Sequence, residues 1–204
     1  MLRSLVVLLL IGCGVEGEYD GDDVFDDLPG FHHDDIDGVY VPVWSIEDDG
    51  SDVQQTDDNW PSDWISLEEQ VFALVNEERA KGANCGSEGR FDPAPPLSLD
   101  TELRAAARGH SEDMGQKNYF SHDSKDGRDF MDRIEDAGYS GGGPWGENIA
   151  AGYGSPAEVI AGWMSSDGHC SNIMSAEYNE IGVGYAYEAS SSYGHYWTQN
   201  FGRG

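Results

Sequence analysis

The stretch Ser165–Met174, SSDGHCSNIM, sets His169 directly against Cys170. A cysteine beside a histidine can be a thiolate nucleophile with its base, a pair of metal ligands, or half of a disulfide next to an unrelated imidazole. The first needs a free thiol of depressed pKa. Chain neighbours rarely aim their side chains at one another, which weighs against a catalytic couple. Ser121, Ser165 and Ser166 lie near histidines in the chain, but no Gly-x-Ser-x-Gly elbow supports a serine nucleophile. No His-Glu-x-x-His motif is present either. The order and surroundings of the other histidines beyond residue 63, His110, His122 and His195, therefore matter more than any compact motif.

Three cysteines occur in the 204 residues, at positions 13, 85 and 170. Cys13 ends the stretch MLRSLVVLLLIGC, in which one basic residue precedes an apolar run from Leu5 to Ile11. That run is too short for a membrane span and reads as a signal-peptide core. Leu10-Ile11-Gly12-Cys13 resembles the bacterial lipobox, which implies a signal peptide over residues 1–12 and lipidation of Cys13 in an exported chain. An oxidising compartment then favours a bridge between the two remaining cysteines, Cys85 and Cys170. Such a bridge closes a loop of about 85 residues and contributes roughly 4 kcal/mol in the chain-entropy view.

The formal net charge is −28. Residues 14–63 hold 17 acids and no Lys or Arg; residues 64–204 hold 22 acids and 10 bases. Without clustered bases neither nucleic acid nor anionic lipid is an expected direct partner, so contact with a membrane is expected through the lipid anchor alone. The acidic block has no hydrophobic period and is expected to be a disordered tether over residues 13–63. It fails the EF-hand template, because the twelfth positions fall on Trp44 and Thr56. Residues 64–204 are enough for one core.

The elements that would position the chemistry follow from caps and periods. Ser66-Leu67-Glu68-Glu69 has the capping-box spacing, so a first helix is expected from Ser66, with Leu67, Val71, Leu74 and Val75 on one face and a stop at Gly82. A second helix is expected from Ser98 or Asp100, with Leu99, Leu103, Ala106, Ala107, His110 and Met114 inward; His110 reads there as a structural histidine. Phe130, Ile134 and Ala137 mark a short third helix ending at Gly138. SGGGPWGENIAAGYG is glycine-dense and reads as close backbone approaches or tight turns. Ser155-Pro156-Ala157-Glu158 opens a fourth helix that ends before Gly168. EIGVGYAYE and HYWTQNFG read as two strands joined by a Ser/Gly turn. The result is an α+β layered domain.

LVNEERAKG, LRAAARGHSEDMGQKNYFSHDSKDG, GENIAAGYGSPAEVIAGWMSSDGHCSNIM, EIGVGYAY and YWTQNFG together resemble the CAP superfamily in its bacterial form, over residues 66–204. The resemblance implies a three-layer α-β-α sandwich and an extracellular protein. It implies a cleft of two histidines and two acids that takes a divalent metal such as zinc in some members. Carried over, these are His122 of FSH, Glu147 of GEN and His169 of GH. The fourth acid is missing: Ser166 stands at that position, and Asp167 beside it is expected to point elsewhere. His195, in a second Gly-His pair, follows the GVG strand and is assigned to a strand or its edge. No cofactor is required by this reading; zinc on His122, Glu147 and His169 is the possible metal. The expected function is a surface-tethered or secreted CAP domain, non-enzymatic, binding an envelope or extracellular ligand such as a lipid or cell-wall component. The alternative is a hydrolase, metal-dependent or not, built on the same three residues.

Overall fold

The computed structural model describes residues 60–204. The expected signal peptide, Cys13 and nearly all of the tether lie outside the described residues. Helix α1 spans Ser62–Lys81, α2 Thr101–Gln116, α3 Phe130–Asp136, α4 Pro156–Met164 and α5 Asp167–Met174. The strands are β1 Ala83–Asn84, β2 Arg90–Phe91, β3 Ser98–Leu99, β4 Gly142–Ala151, β5 Glu180–Tyr187 and β6 His195–Arg203. β1 and β2 form a small antiparallel ribbon. The main sheet runs β3-β5-β6-β4, with β3 parallel to β5 and the other pairs antiparallel. It is the middle of three layers, as the resemblance implies.

Alternation along the strands sorts the layers. Ile181, Val183 and Tyr185 of β5, with Trp197 and Phe201 of β6, face a core supplied by Val71 and Val75 of α1, Val159, Ile160 and Trp163 of α4, and Ile173 and Met174 of α5. The other face of β5 carries Gly182 and Gly184. A methyl on either would collide with the backbone of α2, at Leu103 or Ala107. These glycines let α2 lie directly on the sheet. Helix α3 sits beside α2, sharing the cluster of Leu103, Ala106, Ile134 and Tyr139.

Three helices carry side-chain caps, and for α2 and α4 the cap falls where the sequence puts it. Asp100 accepts from Leu103 N–H at 2.7 Å, Asp129 and Asp132 form a capping box, and Ser155 accepts from Glu158 N–H. Three expectations change. Helix α1 starts at Ser62, a turn before Ser66, because Trp60 and Trp64 pack on the domain and extend it. Leu99 lies in β3 and is exposed rather than helical. The glycine-dense segment is strand β4, held by its ladder to β6. The fourth helix ends before Gly168 as expected, at Met164, and a further helix that was not expected, α5, carries His169 and Cys170.

Candidate functional site

Glu147 lies in β4, an edge strand of the sheet, opposite Asn200 of β6. Its side chain points to the α2–α3 face and is only 1 % exposed. Two elements reach it. The loop after α2 brings His122, whose Nδ1 lies 2.7 Å from Glu147 Oε1. Helix α3 brings Arg133, whose guanidinium donates to Glu147 Oε2 at 2.7 Å. With its amide turned so that both atoms are satisfied, Asn200 also donates to Oε2 at 3.3 Å and accepts from Ala107 N–H. The carboxylate is therefore engaged on both oxygens, while the His122 side chain is 52 % exposed.

His110, on the buried face of α2, supports this arrangement. Its Nε2 is 2.9 Å from the Ser121 carbonyl, one residue before His122. A carbonyl can only accept, so Nε2 carries the proton and Nδ1 is bare; Nδ1 has no partner. Burial pushes this imidazole down from 6.5 to about 4, against the pull of Glu147 and with the push of Arg133. His110 is structural, as expected, and its structural task is to hold the loop that carries His122.

His169 comes from the opposite layer. Its carbonyl accepts from Asn148 Nδ2 at 3.1 Å. Asn148 follows Glu147 and so points to the other face of β4, where it also donates to Gln199 Oε1 and accepts from Asn172. Asn172 Nδ2 in turn takes the main-chain carbonyl of Glu147 at 3.3 Å. This amide network ties α5 along the β4 edge. The His169 imidazole is half-buried; burial lowers its pKa, and the nearby His122 lowers it further.

Cys170, one residue on, is bonded to Cys85, with a Cα–Cα distance of 5.4 Å. Beside the bridge, Asp167 accepts from Ser87 N–H at 2.8 Å and Ser87 Oγ at 2.6 Å. Gly86, at φ 59°, must be glycine there, since a side chain would strike the Asp167 carboxylate. Asp167 is thus held away from the cleft, as its place after Ser166 suggests. His195 begins β6 and bonds to the Tyr185 hydroxyl at 2.7 Å. It lies at the strand edge where sequence order puts it.

The structure joins His122 to Glu147 directly and sets His169 on the other flank of the same strand. Sequence reasoning missed Arg133 and the Asn148–Asn172–Gln199 network. Arg133 carried a usable signal: it falls three residues after Phe130, on the inward side of a short helix. As arranged, the donors do not fit a three-ligand zinc site. Glu147 is already paired with a guanidinium, Ser166 offers no carboxylate, and two imidazoles fall short of three protein ligands. Among the described residues no group of three His, Cys, Asp or Glu is placed to hold a metal. No helix among them is long and apolar enough to cross a membrane.

These residues make a disulfide-stapled α-β-α sandwich with a histidine–glutamate–arginine cluster on its edge strand. The chain belongs to the CAP family, described as the Cysteine-rich secretory protein family, whose profile matches residues 72–201. It is 38% identical over 141 residues to an uncharacterized Bacillus subtilis protein, YkwD, covering 69% of this chain and 49% of that one. It is 33% identical over 146 residues to a B. subtilis membrane protein, YlbC, covering 72% and 37%. The chain thus spans half or less of the curated relatives it matches. Among solved structures, an extracellular SCP-domain protein of Bacillus anthracis matches with TM-score 0.57 and 31% identity, over 69% of this chain and 41% of that one. An outer surface protein of Borrelia burgdorferi matches with TM-score 0.57 at 17% identity, over 68% and 92%, a likeness of fold alone.

Proposed function

We propose that this chain is an exported CAP domain, tethered through lipidated Cys13, that holds an envelope or extracellular ligand in the cleft over β4 without chemical conversion. One observation carries the reading: an exposed imidazole is held in place by a buried carboxylate, with no free thiol beside it. Cys170 is in a disulfide, and both oxygens of Glu147 are engaged by His122 and Arg133. His122 and half-buried His169 remain as hydrogen-bonding groups facing water. Support for export comes from the similar Bacillus anthracis protein, described as extracellular. A lipid or a cell-wall component is the proposed ligand class.

The test uses the full mature chain. Binding to purified cell-wall sacculi and to lipid vesicles is measured for wild type, His122→Ala and His169→Ala. The reading expects saturable binding to one of these, weakened tenfold or more by either change. Binding to neither, or binding indifferent to both changes, would defeat it. Turnover of an ester or peptide substrate that disappears in His122→Ala would replace it with the hydrolase reading. The anchor is checked by lipid labelling of cells, which should disappear with Cys13→Ser.

A further inference from the structure

We propose that the Arg133 guanidinium takes the place of a divalent cation in this cleft, so that the cleft is built to work without a metal. A metal in such a site would do two things. It would compensate the buried carboxylate, and it would fasten the loop bearing His122 to the sheet. Arg133 does both. It donates to Glu147 Oε2 at 2.7 Å, with the two side chains 5 % and 1 % exposed. Its other terminal nitrogen donates to Ser124 Oγ at 3.0 Å and to the Arg128 carbonyl at 3.2 Å. Ser124 and Arg128 close the loop after His122, since Ser124 N–H donates to the Arg128 carbonyl at 2.9 Å. One side chain therefore links Glu147, the His122 loop and α3.

A guanidinium keeps its charge at any physiological pH. A cation arriving at Glu147 Oε2 would meet that fixed positive charge in a site shielded from water, where repulsion is strong. The other oxygen, Oε1, is taken by His122 Nδ1. A carboxylate on the far nitrogen of a metal-bound imidazole is a common outer partner, but here the inner set would be His122 and His169 alone. Ser166 supplies no carboxylate, and its side chain makes no capping bond at the start of α5. The inference rests on this cluster and holds whichever ligand the cleft takes.

The experiment is zinc titration of the metal-stripped mature chain by calorimetry, with cobalt absorption as a second readout. Ions scattered over the acidic surface are separated from the cleft by comparing each protein with its His122→Ala counterpart. Wild type should show no uptake that His122→Ala removes. Arg133→Met should gain a site at least tenfold tighter for zinc, lost again when His122→Ala is added, while Arg133→Lys, which keeps the charge, should not. An equivalent of zinc in wild type that His122→Ala or His169→Ala abolishes would overturn the proposal. So would a folded Arg133→Met that gains nothing. Should Arg133→Met fail to fold, Ser166→Glu gives the decision with the guanidinium in place. It should gain no cleft site, and a gain would overturn the proposal.

Discussion

The sheet has two edges, and a buried glutamate–arginine pair guards each. At the β5 side, β3 covers only Glu180 and Ile181. Further along, Glu68 of α1 takes over, its Oε1 accepting from Tyr185 N–H at 3.0 Å. Arg108 of α2 reaches round the edge to the same carboxylate, at 2.6 to 3.0 Å, and Trp60 closes the site, donating to Glu68 and lying over the guanidinium. Both charged side chains are 4 % exposed or less. Burial is the largest influence on each, raising the Glu68 carboxyl and lowering Arg108. At the β4 side, Glu147 and Arg133 form a similar pair, but the third partner is His122, half in water. An indole seals one pair and an imidazole opens the other. The comparison teaches that a buried ion pair becomes a candidate site through the partner that connects it to solvent.

The largest expected effect tests the sealed pair. Removing one charge and leaving the other buried costs about 3–5 kcal/mol. Glu68→Leu or Arg108→Met alone should therefore destabilise by about that much in denaturant unfolding. The double variant should recover most of it, because two buried charges leave together. Recovery should stop about 1–2 kcal/mol short, since Tyr185 N–H loses its acceptor. Single variants that unfold like wild type would show that the pair contributes nothing.

That pair was hidden in the sequence for a physical reason. Period-based reading marks apolar residues, so it found Val71 and Val75 but passed over Glu68 and Arg79 on the same helix, all four of them buried. Arg79 is buried because it supplies donors to the Ile173 and Ser175 carbonyls at the end of α5. Local chemistry was legible: the caps of α2 and α4, the β5–β6 hairpin and the cysteine pairing all depend on residues close in sequence or on a forced choice. Strand β4 was not, because GGPWGENIAA has no period of its own and becomes a strand only by pairing with β6. In the candidate site, His122, Glu147 and His169 were legible only by resemblance. Their partners come from α3 and from both faces of β4, which no spacing reports.

A smaller effect tests what lies beneath the open pair. His110 is neutral in the fold with a pKa of about 4, against 6.5 ordinarily, chiefly through burial. Below pH 6.5 the unfolded chain takes up a proton that the folded one refuses. The stability tied to this group is therefore complete above pH 6.5 and is lost as pH falls towards 4, by about 3 kcal/mol at the acid end. Carboxylates titrate in the same range, so the measurement is a difference. Between pH 7 and 4, His110→Gln should lose about 3 kcal/mol less stability than wild type. Parallel pH profiles would show that the buried imidazole accepts its proton without cost.

The smallest expected effect on stability falls where the effect on binding should be greatest. His122 is half-exposed, and its bond to Glu147 is one of several on that carboxylate. Its loss leaves Oε1 open to solvent from the side the imidazole covered, so His122→Ala should destabilise by only about 1 kcal/mol. Glu68→Leu removes an ionic group from the opposite edge and should cost several times more. The contrast separates the roles of the two edges. A His122→Ala protein that keeps its stability and loses its ligand places recognition at the open pair. If it instead unfolds as readily as Glu68→Leu, the two pairs are equivalent supports, and the exposed imidazole is part of the fold's fastening rather than its means of recognition.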